Sequence, residues 1–220
     1  LRGLESKAFT PRRIAALGPR IESLVDELLD GAVARGGCDW IHDLAAPLPA
    51  VVIAELLGVP PEDHRTFRGW SSRLIEGLPA LGTGDAEDLT EIVESLAGYL
   101  RSQIEARRRA PGDGLMPALI EARDAKDALS EEELVATALL LLVAGHETTT
   151  NLIGNGLLAL LRHPDQLAWL REDPAGRTEH AVEELLRYDS PVQGTVRVAR
   201  ADTEIRGQAI GRGALVVCLI

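Results

Sequence analysis

Cysteine is scarce in this chain: Cys38 and Cys218 are the two among 220 residues, with no framework spacing. That excludes a disulfide-stapled scaffold and suits a reducing, cytoplasmic setting. Aromatic residues make up only 3%, so leucine, alanine and valine must fill the core that a 45% hydrophobic content allows. Positive charge is outweighed to a net −11, which argues against a nucleic-acid partner and against anionic lipid. The longest apolar run, within 134–145, is about ten residues, short of the ~20 a membrane span requires. No signal-peptide pattern opens the sequence.

What is present is organised around residues 130–163. Ser130 and Glu133 are spaced as a capping box at a helix start. An apolar run follows, then Ala144-Gly145-His146-Glu147-Thr148-Thr149-Thr150, then leucines up to His163-Pro164. Roughly thirty residues predict a rod of about 45 Å. Its middle is apolar all round and is expected to be buried, yet it holds a glycine, a carboxylate and three threonines.

The remaining pattern is mostly helical. Helices are expected over 11–35, 44–57, 61–76, 85–109 and 117–123, then over 164–172 and 177–188. Thr10-Pro11 opens the first of these, residues 1–9 read as the tail of an earlier helix, and glycine- and proline-rich loops fall at 77–84 and 111–114. After 190 the texture turns to short strands, over 192–198, 203–205, 208–210 and 214–220, with a turn at Arg206-Gly207. No linker divides the chain, so a single mainly α domain over 1–220 with a small C-terminal sheet is expected.

His146-Glu147 brings a zinc-protease helix to mind, but the second histidine this needs is replaced by Thr150. Thr148 at helical spacing can donate to the carbonyl of Ala144 and bend the helix, while Gly145 weakens it locally. Glu147 in the resulting groove would cost several kcal/mol to desolvate unless paired. Glu184 and Arg187, three apart, can form an ion pair of a kind common on helix surfaces. Arg197, between Val196 and Val198, either faces outward or holds a carboxylate or phosphate in its fork. Arg107-Arg108-Arg109 is expected to face solvent at a helix end, and Cys218 to lie in the core.

In this order and at these separations, the motifs resemble the cytochrome P-450 family of haem-thiolate monooxygenases in its soluble bacterial form. Ala144-Gly145-His146-Glu147-Thr148-Thr149 resembles the oxygen-binding segment of that family's long central helix, and Glu184-x-x-Arg187 its helical ion pair. Tyr188-Asp189-Ser190-Pro191-Val192 with Arg197 resembles the strand whose arginine holds a haem propionate. Arg2 matches the other propionate-binding arginine, ahead of a similar junction at 6–11. The resemblance covers essentially the whole chain.

It implies haem b as cofactor, O2 and a hydrophobic small molecule as substrates, and a ferredoxin or flavoprotein as electron donor. Thr148 would hydrogen-bond the bound oxygen and Glu147 would relay protons to it. Ala144 and Gly145 would leave room beside the haem, Leu140, Val143 and Val192 would face the substrate, and Glu184 with Arg187 would be a structural brace. No metal ligand is assigned, since neither cysteine has the flanking pattern of the family's ligand loop. The chain therefore reads as a piece lacking both ends, inactive by itself, and the reading frame beyond Ile220 is expected to reveal that loop. The alternative is a haem-free relative serving as scaffold or activator for a partner enzyme.

Overall fold

Prolines and glycines set the helix boundaries in the first half of the molecule. The computed structural model describes residues 10–77, 87–110, 115–124 and 130–220. Arg2, the helix tail at 1–9 and most of the two expected loops lie outside the described residues. In place of one helix over 11–35 there are two, α1 (Pro11–Ala15) and α2 (Gly18–Ala34). Pro19 has no N–H for the preceding turn and its ring crowds that turn's carbonyl, so the helix stops and restarts. Gly36, at a φ of 73°, closes α2, as a residue without Cβ can at little cost.

Prolines act again before α3 (Pro47–Leu56), which is preceded by a π-helical turn, Ile41–Ala45. Pro49 cannot donate to the carbonyl four residues back, and the Ala50 amide reaches Ala46 O only at 3.4 Å. The carbonyls entering α3 are thus poorly served by the helix itself. At the other end Gly58 has a φ of 76°, and Arg107 Nη2 donates to its carbonyl at 2.9 Å. The arginine run does not simply face solvent: Arg107 caps α3, Arg108 pairs with Glu131, and Arg109 pairs with Glu105.

A short 3-10 turn, Pro61–Asp63, leads into α4 (His64–Gly77), followed by α5 (Glu87–Arg109) and α6 (Leu115–Asp124). Leu57, Phe67, Leu96, Leu100 and Met116 are buried together with Leu142 of the next helix. Three of the seven aromatics gather there, Tyr99 lying 6.1 Å from Phe67 and 5.6 Å from Trp70 between ring centres.

That next helix, α7 (Glu131–Arg162), runs 32 residues, about 48 Å. Its capping box is formed: Ser130 N donates to Glu133 Oε2 at 2.7 Å, and Glu133 N to Ser130 Oγ at 3.2 Å. Ser130→Ala removes the acceptor and is expected to lower the unfolding free energy by about 1 kcal/mol, measurable by urea denaturation. None of the helices among the described residues is long and apolar enough to cross a membrane.

The chain divides into two compact units, Leu1–Thr150 and Asn151–Ile220. The second contains the end of α7, then α8 (Pro164–Glu172) and α9 (Pro174–Tyr188). Helix α9 starts earlier than the expected 177, because Asp173 caps it by accepting the Gly176 N–H. Two antiparallel ribbons follow. β1 (Gly194–Val198) pairs with β4 (Leu215–Leu219), and β2 (Thr203–Ile205) with β3 (Gln208–Ile210). Arg206 and Gly207 join β2 to β3 with φ of 51° and 81°, the double left-handed turn that matches strand twist. Cys218 is exposed rather than core, since β4 has β1 as its single strand partner among the described residues.

Candidate functional site

The middle of α7 sorts its residues by angle around the axis. At 100° per residue, Leu142 and His146 fall on the side facing the core, and both are buried. Leu140, Ala144 and Glu147 share the opposite face and are exposed, with Val143, Gly145 and Thr148 half-buried between. Glu147 therefore pays no desolvation cost in this chain, contrary to the expectation of a carboxylate inside a groove. His146 occupies the inward direction, and its neighbour necessarily points away.

The threonines bond backwards. Thr148 Oγ1 donates to Ala144 O at 2.7 Å, as the spacing predicts, and Thr150 Oγ1 donates to His146 O at 2.9 Å. Helix α7 nonetheless passes through this segment without interruption. A hydroxyl that donates to its own helix is satisfied without leaving helical geometry, and its oxygen lone pairs stay available to an outside donor.

Beside this face lies an apolar groove of about 390 Å³. Ile21 of α2, Val52 and Ile53 of α3, and Leu141, Gly145 and Thr149 of α7 line it. A Cβ on Gly145 would stand 3.3 Å from Ile53 Cδ1, so a larger residue here would require the Ile53 side chain to shift. Ala144 also borders the groove but opens toward the exposed face.

His146 is the residue that sequence reasoning undervalued, having weighed it only as a zinc ligand. Its Nδ1 lies 2.8 Å from Ser71 Oγ of α4, and both side chains are buried. Burial holds the imidazole pKa below its ordinary value, a hydrogen bond with the Ala46 backbone opposes that, and the positive charge of Arg68 adds to it. The sequence signal was its place on the buried face, at i+4 from Leu142 and i+8 from Ala138.

In the second unit Arg187 grips Glu184 with two bonds, Nε to Oε2 at 2.7 Å and Nη2 to Oε1 at 2.6 Å, on an exposed helix face. The hydrogen bond from Arg187 holds the Glu184 carboxyl below the usual carboxylate range. Glu184 also borders an apolar cavity of about 340 Å³ with His163, Trp169, Leu185 and Tyr188. Arg197 directs Nη1 to Thr195 Oγ1 at 2.8 Å and to Val196 O at 2.9 Å, both on its own strand. Val192 is exposed. Cys38 and Cys218 are free and exposed, and the described residues include no cluster of three or more metal-ligating side chains.

Comparison with known proteins adds the family context. The family model described as Cytochrome P450 matches residues 74–175. Cytochrome P450 CYP107DY1 of Priestia megaterium is 44% identical over 219 residues, 99% of this chain and 52% of its own length. Vitamin D(3) 25-hydroxylase of Pseudonocardia autotrophica is 46% identical over 219 residues, 99% of this chain and 53% of its own length. The crystal structure of P450BioI, in complex with an acyl carrier protein ligated to hexadec-9Z-enoic acid, superposes with a TM-score of 0.87 at 41% identity. It is matched over 99% of this chain and 56% of that one. The chain spans about half the length of the curated relatives it matches.

Proposed function

We propose, because the chain belongs to the cytochrome P450 family, that the complete protein is a haem-dependent monooxygenase acting on a hydrophobic small molecule. Members of the family bind haem b. The observation that carries the reading is the uncovered face of α7, where Leu140 and Ala144 are exposed beside a half-buried Thr148. A flat apolar macrocycle needs such a surface, free of bulky polar groups, and these residues fit one. Ala144, Gly145 and Thr148 would hold it along the helix, and the family resemblance assigns its carboxylates to the guanidinium forks of Arg2 and Arg197. Bound there, haem supplies the electron transfer and the activation of O2 that no amino-acid side chain provides.

The chain's own residues handle protons and fit. Glu147 is exposed, so it can exchange protons with solvent, as a relay requires. The Thr148 oxygen can accept a proton-bearing neighbour while its hydrogen stays on Ala144 O. To donate outward it must release that bond, at a cost of about 0.5–1.5 kcal/mol. Leu140, Val143 and Val192 would exclude water and select an apolar substrate. Glu184 and Arg187 would act as a brace and take no part in the reaction. Electrons would come from a ferredoxin or flavoprotein. The name of the relative that hydroxylates vitamin D(3) supports an apolar substrate class.

The test is to offer the full-length protein, with an electron donor and isotopically heavy O2, a panel of fatty acids, steroids and macrolides. The expected result is product from at least one compound carrying a single oxygen atom from the gas. Oxygen drawn from water, or no oxygenated product from any compound, would overturn the proposal.

A further inference from the structure

We infer that His146, gripped by Ser71 and the Ala46 backbone, is a positioning residue that fixes the turn of α7 on which Glu147 and Thr148 stand. The inference rests on the monooxygenase reading of that turn, and its own basis is a three-way junction inside the first unit. Ser71 comes from the middle of α4, Ala46 from the entrance of α3 and His146 from α7. Ser71 is 1% and His146 4% exposed, so neither finds water as an alternative partner.

The two ring nitrogens have separate tasks. Nδ1 faces the Ser71 hydroxyl at 2.8 Å. The Ala46 backbone acts on the ring so as to favour its charged form. A neutral ring with its proton on Nε2 accepts the serine hydroxyl at Nδ1.

Such a junction supplies what the surrounding contacts lack. The core face of α7 beside His146 is built from Ala138 and Leu142, and apolar contact is non-directional. A 20° turn of a helix about its axis moves a side-chain tip by about 2 Å, while a misplacement of 1 Å at a reacting centre can cost about 100-fold in rate. The hydrogen bond to Ser71 of α4, with the Ala46 backbone at the entrance of α3 beside the ring, opposes that turn. The groove side adds a second stop, with Ile53 close against Gly145.

The experiment uses the full-length haem-loaded enzyme with the panel compound it oxidises fastest, comparing wild type, His146→Phe, Ser71→Ala and the double variant. Expected is a roughly tenfold fall in product formed per electron consumed for each single variant, with substrate affinity within about twofold of wild type. The double variant should fall no further than His146→Phe, because both residues act through one junction. A readout independent of activity is stability against pH. A ring whose folded pKa lies below the unfolded value contributes stability that is present above about pH 6.5 and lost as pH falls below it. Arg68 is the charged group whose field reinforces this. The unfolding temperature of wild type should therefore drop on acidification more steeply than that of His146→Phe. Unchanged product per electron in both single variants, or losses that multiply in the double variant, overturns the inference. If His146→Phe does not fold, Ser71→Ala alone decides by the same ratio. A wild-type control that oxidises nothing overturns the monooxygenase reading and this role with it, whereas a working control with unaffected variants overturns this role alone.

Discussion

Glu147→Gln in the full-length enzyme is expected to slow turnover by about 100-fold or more, the lower end of what a positioned proton donor contributes. Glutamine preserves the size and the hydrogen-bonding reach of the side chain but cannot carry a titrating proton. The exposed position of Glu147 makes its replacement neutral for the packing of α7, so the loss should appear in kcat while KM stays near wild type. Glu147→Asp keeps the carboxylate on a shorter stem and should recover part of the rate. Steady-state kinetics on the three proteins provide the check. Equal kcat for wild type and Glu147→Gln would remove Glu147 from any proton path.

Phe67→Ala is expected to lower the unfolding free energy by about 3–5 kcal/mol, a large share of the 5–15 kcal/mol that typically separates folded from unfolded. Phe67 is 1% exposed and leans on Tyr99, in a protein with few other rings to fill the space. It sits one helical turn before Ser71 on the same face of α4, so the cavity also loosens the helix that holds His146. Phe67→Leu, which nearly conserves volume, should cost less than about 1.5 kcal/mol. Urea denaturation of the full-length protein distinguishes the two, and equal midpoints for Phe67→Ala and wild type would mean that α4 is not anchored there.

Local rules carried most of the fold into the sequence. The capping box at Ser130 and Glu133 and the Arg206-Gly207 turn each depend on neighbours within a few residues, and both are present as expected. Helix boundaries depart from the sequence pattern where two signals compete. Hydrophobic period ran through 11–35 while Pro19 cut it, and it ran through 44–57 while the α-helix starts only at Pro47, after a π-helical turn. The site divides the same way. The Thr148 back-bond follows from spacing along one helix. The Ser71–His146 contact joins residues 75 positions apart, and nothing in either stretch announces the other. Arg107 is similar: a terminal arginine reads as solvent-facing until the Gly58 carbonyl, 49 residues away, is placed against it.

The central claim is that the uncovered face of α7 receives the haem. Titration of the full-length apoprotein with haem, followed by absorbance, tests it most directly when wild type is compared with Ala144→Phe. Ala144 is exposed, so the larger ring should leave the chain folded while obstructing that face. The predicted result is equimolar uptake by wild type and far weaker uptake by the variant. No uptake by wild type, or indistinguishable curves for the two, would contradict it.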